Sequence, residues 1–332
     1  MEEVLRTAGI EKPSAVEVLR DGFPSYVIRV STPAFSGHPT VIVKACPSSS
    51  REPDVLLCLS RAGVPVPRVL DVKSGDGFRA VIMEDVGTDA LYKHRNPELY
   101  IRAVREIAGI HRRFDLSRCD GGIQEEPLIT GGAEMDLLSL LPRRDPGQWT
   151  FIVRGATEGT GERLKDGTYI GFTSSERDAL LREVEILGEA TLAMLGAQEQ
   201  SYGRDFTLVH GDFHDGNILI KTGPNRSAFS FVIVDWDSAR LDSGFFDLVS
   251  LYDVAERMQT SRLDPRMLIE AYVHAKWPVG GPFDIRAAEK EWRRCRILRA
   301  WDELRWFSTT GDDFGDRVRR EVEIIRRTLG EL

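Results

Sequence analysis

The chain has 332 residues and a formal net charge of −8 at pH 7, a length that allows one large domain or two smaller ones with their own cores. The acidic balance argues against a nucleic-acid-binding protein, which needs a basic surface, and no segment is long and apolar enough to cross a bilayer. The acidic, amphipathic N-terminus resembles neither a signal peptide nor a transit peptide, so we expect a cytoplasmic protein.

The first 86 residues predict a small unit rich in strands. A weakly alternating segment at 15–20 is followed by short β-branched runs at 26–30 and 40–45, which a turn with Pro and Gly separates. Apolar residues recur on one side of 51–61, which predicts a helix that ends at Gly63. The segment VPVPRVL leads into another strand, and 78–83 predicts the last strand of this unit.

The rest of the chain is predicted to be mostly helical. Residues 97–114 form a strongly amphipathic segment with Pro97 in the favourable first turn. A second helix is predicted at 174–195, for which Ser175 and Asp178 are interpreted as a capping box. Residues 117–173 are rich in Gly, Pro and turn residues, and we interpret them as an insert of mixed structure.

Short strands and further helices are predicted beyond residue 200. The strands are expected at 207–209, 218–221 and 231–234, and a turn reading TGPNRSA joins the last two as a hairpin. Helical patterns follow at 244–258, 264–275, 284–308 and 314–329.

The segment LVHGDFHDGNILI at 208–220 places polar side chains in a loop between two apolar runs. Asp212 precedes Asn217 by five residues, and Asp235 follows in VIVDWDSAR, at the end of the predicted hairpin. Phosphoryl transfer needs magnesium to neutralise the phosphates and a group that orients the acceptor hydroxyl. Magnesium usually takes one or two carboxylates together with substrate phosphates, and the Asp-to-Asn spacing equals that of the protein-kinase catalytic loop. The pattern therefore predicts phosphoryl transfer from a nucleoside triphosphate.

These motifs resemble those of the aminoglycoside phosphotransferase and choline kinase superfamily, whose members carry HGDxHxxN and a D-W-E-like run. The resemblance covers most of the chain outside 117–173. It implies an α+β, two-lobed protein-kinase-like fold, with a small antiparallel-sheet N-terminal lobe at 1–86 and a larger, mostly helical C-terminal lobe at 88–332. The hinge between the lobes is expected at 83–87.

The resemblance also implies the roles of the loop residues. Asp212 resembles the catalytic base, and Asn217 and Asp235 resemble the magnesium ligands. Residues expected to support the loop are His210 and His214, which resemble bracing residues, and Asp247 in GFFDLVSL, which resembles the helix aspartate that anchors the loop from below.

The nucleotide is expected to bind at the first lobe. Lys44, at the end of VIVK, resembles the kinase lysine that pairs with the α- and β-phosphates, and Glu52 resembles the helix glutamate that holds this lysine. The segment 83–86 resembles the hinge, whose backbone binds the adenine edge, so the expected contacts there are Met83, Glu84 and Val86. ATP is the expected nucleotide, with GTP as the alternative.

Two segments depart from the family pattern. DGFPSY at 21–26 has one Gly and a Pro where the phosphate loop is usually rich in glycine, so Ser25 and nearby amides would have to cover the phosphates. The third motif reads DWD instead of DWE, which leaves the role of Asp237 open.

The acceptor is expected to be a small hydroxylated molecule, and we favour a sugar-containing antibiotic, modified for resistance or self-protection. A metabolic kinase of choline, homoserine or a sugar is the alternative. The absence of DFG and APE motifs argues against a protein kinase. Because the phosphate loop has a single glycine, a nucleotide-binding pseudokinase is a further alternative. Trp292 and Trp301 raise the option of an aromatic cage for a quaternary amine, but they fall on opposite faces of one predicted helix, which favours core packing. Acidic residues of the insert are candidate contacts for ammonium groups of the acceptor, with a solvated surface position as the alternative. They are Glu125, Glu126, Glu134 and Asp136.

Overall fold

The structure, a computed structural model, describes residues 1–22, 25–33, 35, 37–116, 137–197, 206–222, 229–278, 284–310 and 314–332. The four acids of the insert considered above lie outside the described residues.

The N-terminal lobe is built on a five-stranded antiparallel sheet with the strand order β1-β2-β3-β5-β4. Its elements in chain order are α1 (Glu2–Thr7), β1 (Ala15–Arg20), β2 (Tyr26–Ser31), β3 (Thr40–Pro47), α2 (Glu52–Arg61), β4 (Val69–Ser74) and β5 (Phe78–Glu84). The predicted strands and the predicted helix of this region are confirmed, whereas α1 was not predicted.

The sheet buries a different hydrophobic cluster on each face, as the two-residue period of a strand requires. Val41 and Val43 of β3 are fully buried on one face, in the cluster that also contains residues of α1. Val81 of β5 belongs to the main core on the other face, together with Val55 and Leu59 of α2. The sheet is therefore covered on the side where α2 carries Glu52.

The C-terminal lobe is mostly helical and contains two short antiparallel strand pairs. Its helices are α3 (Pro97–Arg113), α4 (Leu137–Leu140), α5 (Pro146–Lys165), α6 (Ser174–Ala197), α7 (Phe245–Met258), α8 (Pro265–Lys276), α9 (Ile285–Thr309) and α10 (Gly315–Gly330). Its strands are β6 (Phe206–Val209), β7 (Ile218–Thr222), β8 (Phe229–Ile233) and β9 (Arg240–Ser243), paired as β6–β9 and β7–β8. The helices predicted after residue 240 and the hairpin strands are confirmed, whereas β9 was not predicted.

Within 117–173, interpreted as an insert of mixed structure, residues 146–165 form the long helix α5, which was not predicted. The glycines of α5 are residues that favour turns, which is why the sequence did not predict a helix here. Two of them lie where α5 packs closely against a neighbouring helix. A Cβ on Gly159 would come within 2.7 Å of Ser308 Oγ, and one on Gly161 within 3.1 Å of Leu181 Cδ1. Packing against α9 and α6 therefore stabilises a helix that the glycines disfavour.

The predicted cap of α6 was also wrong, since Thr173 and Glu176 form it. Thr173 Oγ1 accepts a hydrogen bond from the Glu176 amide at 3.3 Å, and Glu176 Oε2 accepts one from the Thr173 amide at 2.7 Å. This is the reciprocal pattern of a capping box, displaced from the residues chosen in the sequence.

Helix α9 packs against α5, α7, α8 and α10. Trp292 and Trp301 are buried, and the indole Nε1 of Trp301 donates to Thr191 Oγ1 at 3.0 Å. Core packing of these two tryptophans is confirmed. Among the described helices, none combines the length and the apolar character needed to span a bilayer.

Candidate active site

The loop between β6 and β7 is held from below by Asp247, in the first turn of α7. Its Oδ2 accepts the amide N–H of His210 at 2.8 Å, and its Oδ1 accepts the amide N–H of Gly211 at 2.9 Å. Gly211 has φ +84°, and a Cβ there would lie 2.3 Å from the Ser238 carbonyl oxygen. Glycine is therefore required for the loop to approach both α7 and the turn after β8.

The carboxylate of Asp247 is fully buried and also accepts a hydrogen bond from His111 Nε2 at 3.1 Å. Burial acts to raise the pKa of Asp247, but the hydrogen bonds from the His111 side chain and the His210 amide oppose it, and the pKa is lowered. Burial lowers the pKa of His111, whose Nδ1 lies 2.9 Å from the Tyr272 hydroxyl. A neutral His111 that accepts from Tyr272 and donates to Asp247 satisfies all three buried groups.

His210 connects this loop to the end of β8. Its Nε2–H donates to the Val234 carbonyl at 2.9 Å, and its Nδ1 accepts from the Asp212 amide at 3.2 Å. The ring lies 4.6 Å from that of Trp236, measured between centroids, and burial lowers its pKa. The neutral imidazole of His210 thus links the amide of Asp212 to Val234, the residue before Asp235.

Asp212 and Asn217 lie side by side in the loop. The side-chain Nδ2 of Asn217 donates to the backbone carbonyl of Asp212 at 3.0 Å, which leaves its Oδ1 as the atom suited to a cation. His214 accepts the Gly216 amide at Nδ1 and lies 3.6 Å from Asp212 Oδ2 through Nε2. The Asp212 side chain is 46% exposed, so its carboxylate is accessible from solvent.

Asp235 follows β8 in a left-handed conformation, with φ 67° and ψ 59°. Its Oδ1 lies 2.5 Å from Lys44 Nζ, and its Oδ2 lies 3.3 Å from a guanidinium nitrogen of Arg20. Lys44 Nζ is in turn 2.6 Å from Glu52 Oε2. The ammonium group of Lys44 therefore joins the two lobes through Asp235, while Glu52 holds it within the N-terminal lobe.

Burial and charge act against each other in this cluster. Burial acts to raise the pKa of Asp235, but Lys44 outweighs it and the pKa is lowered. Burial would lower the pKa of Lys44, and its two carboxylate partners raise it. For Glu52 burial prevails over Lys44 and raises the pKa to about 7. Asp235 and Lys44 are thus held as charged groups between the lobes.

The remaining predicted nucleotide residues lie at the edge of the sheet. The Glu84 amide donates to the Arg68 carbonyl at 3.0 Å, so it is engaged within the lobe. Met83 is buried in β5, while the Val86 amide donates to no other group of the described residues. Ser25 is buried, and its Oγ finds no hydrogen-bond partner in the part of the chain that the structure describes.

Sequence reasoning missed three contacts of the site. Arg20 reaches Asp235 across 215 positions, and no local pattern indicates this contact. Asp237 Oδ1 accepts from Ser50 Oγ at 3.0 Å, which ties the turn after β8 to the residues before α2.

Asp215, inside the HDGN motif, is buried and accepts hydrogen bonds from Tyr100 and Thr260 at 2.7 and 2.5 Å. Its place in the motif was the signal that could have identified it from the sequence.

Solved structures of similar fold cover nearly the whole chain. A choline kinase from Cryptosporidium parvum matches with a TM-score of 0.62 and 11% identity, over 96% of this chain and 89% of that one. An ethanolamine kinase from Plasmodium vivax matches with a TM-score of 0.58 and 11% identity, over 95% and 82%. An aminoglycoside phosphotransferase from Streptomyces rimosus, in complex with ADP and streptomycin, matches with a TM-score of 0.51 and 17% identity, over 91% and 97%. The predicted α+β, two-lobed kinase-like fold is confirmed.

Sequence comparison assigns the chain at the level of a family. No curated protein sequence matches it significantly. The model of the phosphotransferase enzyme family, however, matches residues 15–298, which include the loop between β6 and β7 and the Lys44–Glu52–Asp235 cluster. The protein therefore belongs to the phosphotransferase enzyme family and is a small-molecule kinase.

Proposed function

We propose that this enzyme transfers the γ-phosphoryl group of ATP to a hydroxyl of a small, sugar-containing molecule. The ion pair of Lys44 with Asp235 carries the proposal, because it joins the nucleotide-binding lobe, where Glu52 also holds Lys44, to the lobe that holds Asp212. Within the C-terminal lobe, His210 links the loop that holds Asp212 to the residue before Asp235, through the Val234 carbonyl. Since the reaction consumes ATP, we place it in the cytoplasm.

The donor atoms of the cleft suit Mg²⁺. Asn217 Oδ1 and the Asp235 carboxylate are oxygen donors, and magnesium typically takes one or two carboxylates plus substrate phosphates. No group of three or more His, Cys, Asp or Glu side chains is arranged for a metal within the described residues, which agrees with a site that phosphate oxygens complete. When bound, Mg²⁺ would neutralise charge on the phosphates.

The side chains of the chain divide the remaining work. Asp212, which is accessible and held by the backbone contacts of His210 and Asn217, orients the acceptor hydroxyl and accepts its proton. Lys44 pairs with the α- and β-phosphates while Glu52 holds it. His214 and Asp247 position the catalytic loop.

The nucleotide would lie between the sheet and this loop. Ser25 offers a buried hydroxyl that has no hydrogen-bond partner among the described residues, which suits a phosphate oxygen. At the hinge, the Val86 amide is the available donor for the adenine edge. Met83 and Glu84 line the nucleotide pocket with their backbone atoms. GTP is the alternative nucleotide.

For the acceptor we favour a sugar-containing compound of the antibiotic type over choline. Cages for quaternary amines need open aromatic faces. Here Trp292 and Trp301 are buried in the core, and Arg296 lies over the Trp292 ring at 5.3 Å. A cationic side chain thus occupies the face that a quaternary amine would need.

A screen with γ-labelled ATP tests the proposed function. Hydroxylated antibiotics, sugars, homoserine, choline and ethanolamine are offered one by one, and the products are scored by the mass gain of one phosphate. We expect acceptor-stimulated turnover that requires Mg²⁺. Phosphorylation of protein substrates alone would support a protein kinase, and nucleotide binding without turnover on any acceptor would support a pseudokinase.

A further inference from the structure

Arg240, the first residue of β9, is a buried arginine that lies against the loop between β6 and β7. In the β6–β9 pair it is opposite Val209, the residue before His210, and only 3% of Arg240 is exposed. A Cβ on Gly211 would come within 2.4 Å of Arg240 Nη1. The guanidinium is therefore in contact with the residue that precedes Asp212.

The same guanidinium contacts the turn that follows Asp235. Arg240 Nη1 donates a hydrogen bond to the Ser238 carbonyl at 3.4 Å, and Ser238 ends the 3₁₀ turn that begins directly after Asp235. This carbonyl also lies against Gly211, since a Cβ on Gly211 would be 2.3 Å from its oxygen. Arg240 thus touches both the segment that carries Asp212 and the segment that carries Asp235.

Two further groups fix the orientation of the guanidinium. Arg240 Nε donates to Asp242 Oδ2 at 3.1 Å. Oδ1 of the same carboxylate accepts the Ser243 amide at 2.8 Å and Trp149 Nε1, from α5, at 3.5 Å. The guanidinium carbon lies 4.2 Å from the centroid of the Phe246 ring, in α7. The position of Arg240 is therefore set by two helices as well as by its own strand.

Stability alone explains this arrangement poorly. The Arg240–Asp242 ion pair is almost fully buried, and the cost of removing two charges from water offsets much of their attraction. Arg240 Nη2 is also buried and has no hydrogen-bond partner among the described residues, which adds the cost of an unsatisfied donor. The geometry that the ion pair fixes is a better reason for its presence.

We propose that Arg240 is a positioning residue for phosphoryl transfer. Through its contacts with both segments, it sets the distance between Asp212 and Asp235. Asp212 is the proposed base for the acceptor hydroxyl and Asp235 is a proposed ligand of Mg²⁺, so this distance governs how the hydroxyl meets the phosphoryl group. The inference rests on the proposed function and adds to it a residue that acts without touching the substrate.

The other proposed metal ligand is held by a different contact. The Val234 amide donates to the Asn217 carbonyl at 2.9 Å, next to the hairpin of β7 and β8. Loss of Arg240 should therefore leave Asn217 and Asp235 together while it displaces Asp212. We expect binding of Mg²⁺ and nucleotide to be kept and turnover to be lost, whereas a general loss of structure would reduce both.

Arg240→Met combined with Asp242→Asn is the main test variant. The combination removes both charges, whereas Arg240→Met alone would leave a buried, unpaired carboxylate and so risks unfolding the protein. Arg240→Lys is the second variant and replaces the first if that does not fold. Lysine keeps the charge, but one ammonium group cannot bridge Asp242 and Ser238 as the planar guanidinium does.

Arg163→Met is the matched control. Arg163 is buried as well, but its Nη1 donates to the Phe307 carbonyl of α9 at 2.7 Å. Its loss should lower stability and leave nucleotide binding, turnover and the loop between β6 and β7 as they are in the wild type.

Two measurements on the full chain need no acceptor. Titration with a non-hydrolysable ATP analogue and Mg²⁺ should give affinities within about threefold of the wild type for both Arg240 variants. Hydrogen exchange of the peptide 208–217 should become faster by about tenfold or more in these variants and stay unchanged in Arg163→Met.

Turnover is measured with the acceptor that the screen identifies, or as ATP hydrolysis, with water as acceptor, where none reacts. We expect kcat of the double variant to fall by about 10²-fold, since a displacement of about 1 Å suffices for such a loss, and Arg240→Lys to lie between it and the wild type. Adding Asp212→Asn to the double variant should cost less than about tenfold, because residues that act through one geometry are not additive. Added to Arg163→Met, it should cost as much as in the wild type.

The inference is overturned if Asp212→Asn costs as much in the double variant as in the wild type, or if the Arg240 variants lose nucleotide affinity and turnover alike. Unchanged hydrogen exchange of 208–217 also overturns it. This last measurement decides if the wild type transfers no phosphate, and faster exchange confined to the Arg240 variants then supports the inference. Failure of the proposed function looks different: no phosphoryl group reaches any acceptor or water, whatever the exchange rate of the loop.

Discussion

Lys44 and Asp235 lie 191 residues apart in the sequence and form an ion pair of 2.5 Å. The contact joins β3 of the N-terminal lobe to the residue that follows β8. Glu52 and Arg20 complete the cluster, so the Asp235 carboxylate is engaged by two cationic side chains. A metal ion at the proposed site would compete for Asp235 with Arg20, whose side chain is 46% exposed.

Replacement of Asp212 by Asn tests its proposed role as catalytic base. Turnover should fall by about 10²- to 10⁴-fold, because the amide cannot accept the proton of the acceptor hydroxyl. Nucleotide affinity should stay close to that of the wild type, since Asp212 contacts neither Lys44 nor Glu52. Steady-state kinetics and nucleotide titration check both, with Asp178→Asn on the exposed face of α6 as control. Normal turnover would remove Asp212 from the mechanism.

Replacement of Asp235 by Ala should abolish magnesium-dependent nucleotide binding and activity together. The change removes a proposed metal ligand and leaves Lys44 with Glu52 as its carboxylate partner. Binding is measured by titrating Mg²⁺ at fixed nucleotide, and again with a chelator present. A titration curve identical to that of the wild type would contradict the assignment of Asp235 as a ligand.

Two glycine substitutions should have opposite effects on stability. A Cβ on Gly244 would lie 1.9 Å from the Tyr272 hydroxyl and 2.7 Å from His111 Nδ1. Gly244→Ala should therefore lower the free energy of unfolding by about 2–3 kcal/mol, and reduce activity by displacing the groups that hold Asp247.

Gly109 in α3 is the matched control, because a Cβ there meets no atom within 4 Å. Gly109→Ala should stabilise the protein by about 0.5–1 kcal/mol, since alanine favours the helix. Urea unfolding of the two variants measures both effects. Equal stability changes in the two variants would show that the crowding around Gly244 does not constrain the loop anchor.

The pH dependence of stability should report the buried Glu321. Its folded-state pKa is about 7, against 4.5 for a free glutamate, so the native state binds its proton more tightly than the unfolded state. This contribution to stability is complete below pH 4.5 and is lost as pH rises through 7. Relative to Glu321→Gln, the wild type should lose about 3 kcal/mol of unfolding free energy over this range. A difference that stays constant with pH would contradict the shift.

Local patterns were sufficient to predict most of the helices and strands. The β-branched runs at 26–30 and 40–45 and the amphipathic spacing at 97–114 depend on neighbours in the chain, and the structure has β2, β3 and α3 at these positions. Helix α5 was missed because its glycines disfavour a helix in isolation. Contacts with α6 and α9, which the sequence of α5 does not contain, supply the stabilisation.

The sequence by itself determined the phosphotransferase motifs, since the six residues from Asp212 to Asn217 lie within one loop whose spacing does not depend on the rest of the fold. Only the tertiary structure decided which charges share an environment. Arg20 meets Asp235 across 215 positions, and Arg296 of α9 meets Asp253 of α7 across 43 positions. Such contacts depend on how helices and lobes pack, and the strength of a charge depends on the burial that packing creates. For that reason the class of chemistry was predictable from the chain, while these long-range charge contacts were not.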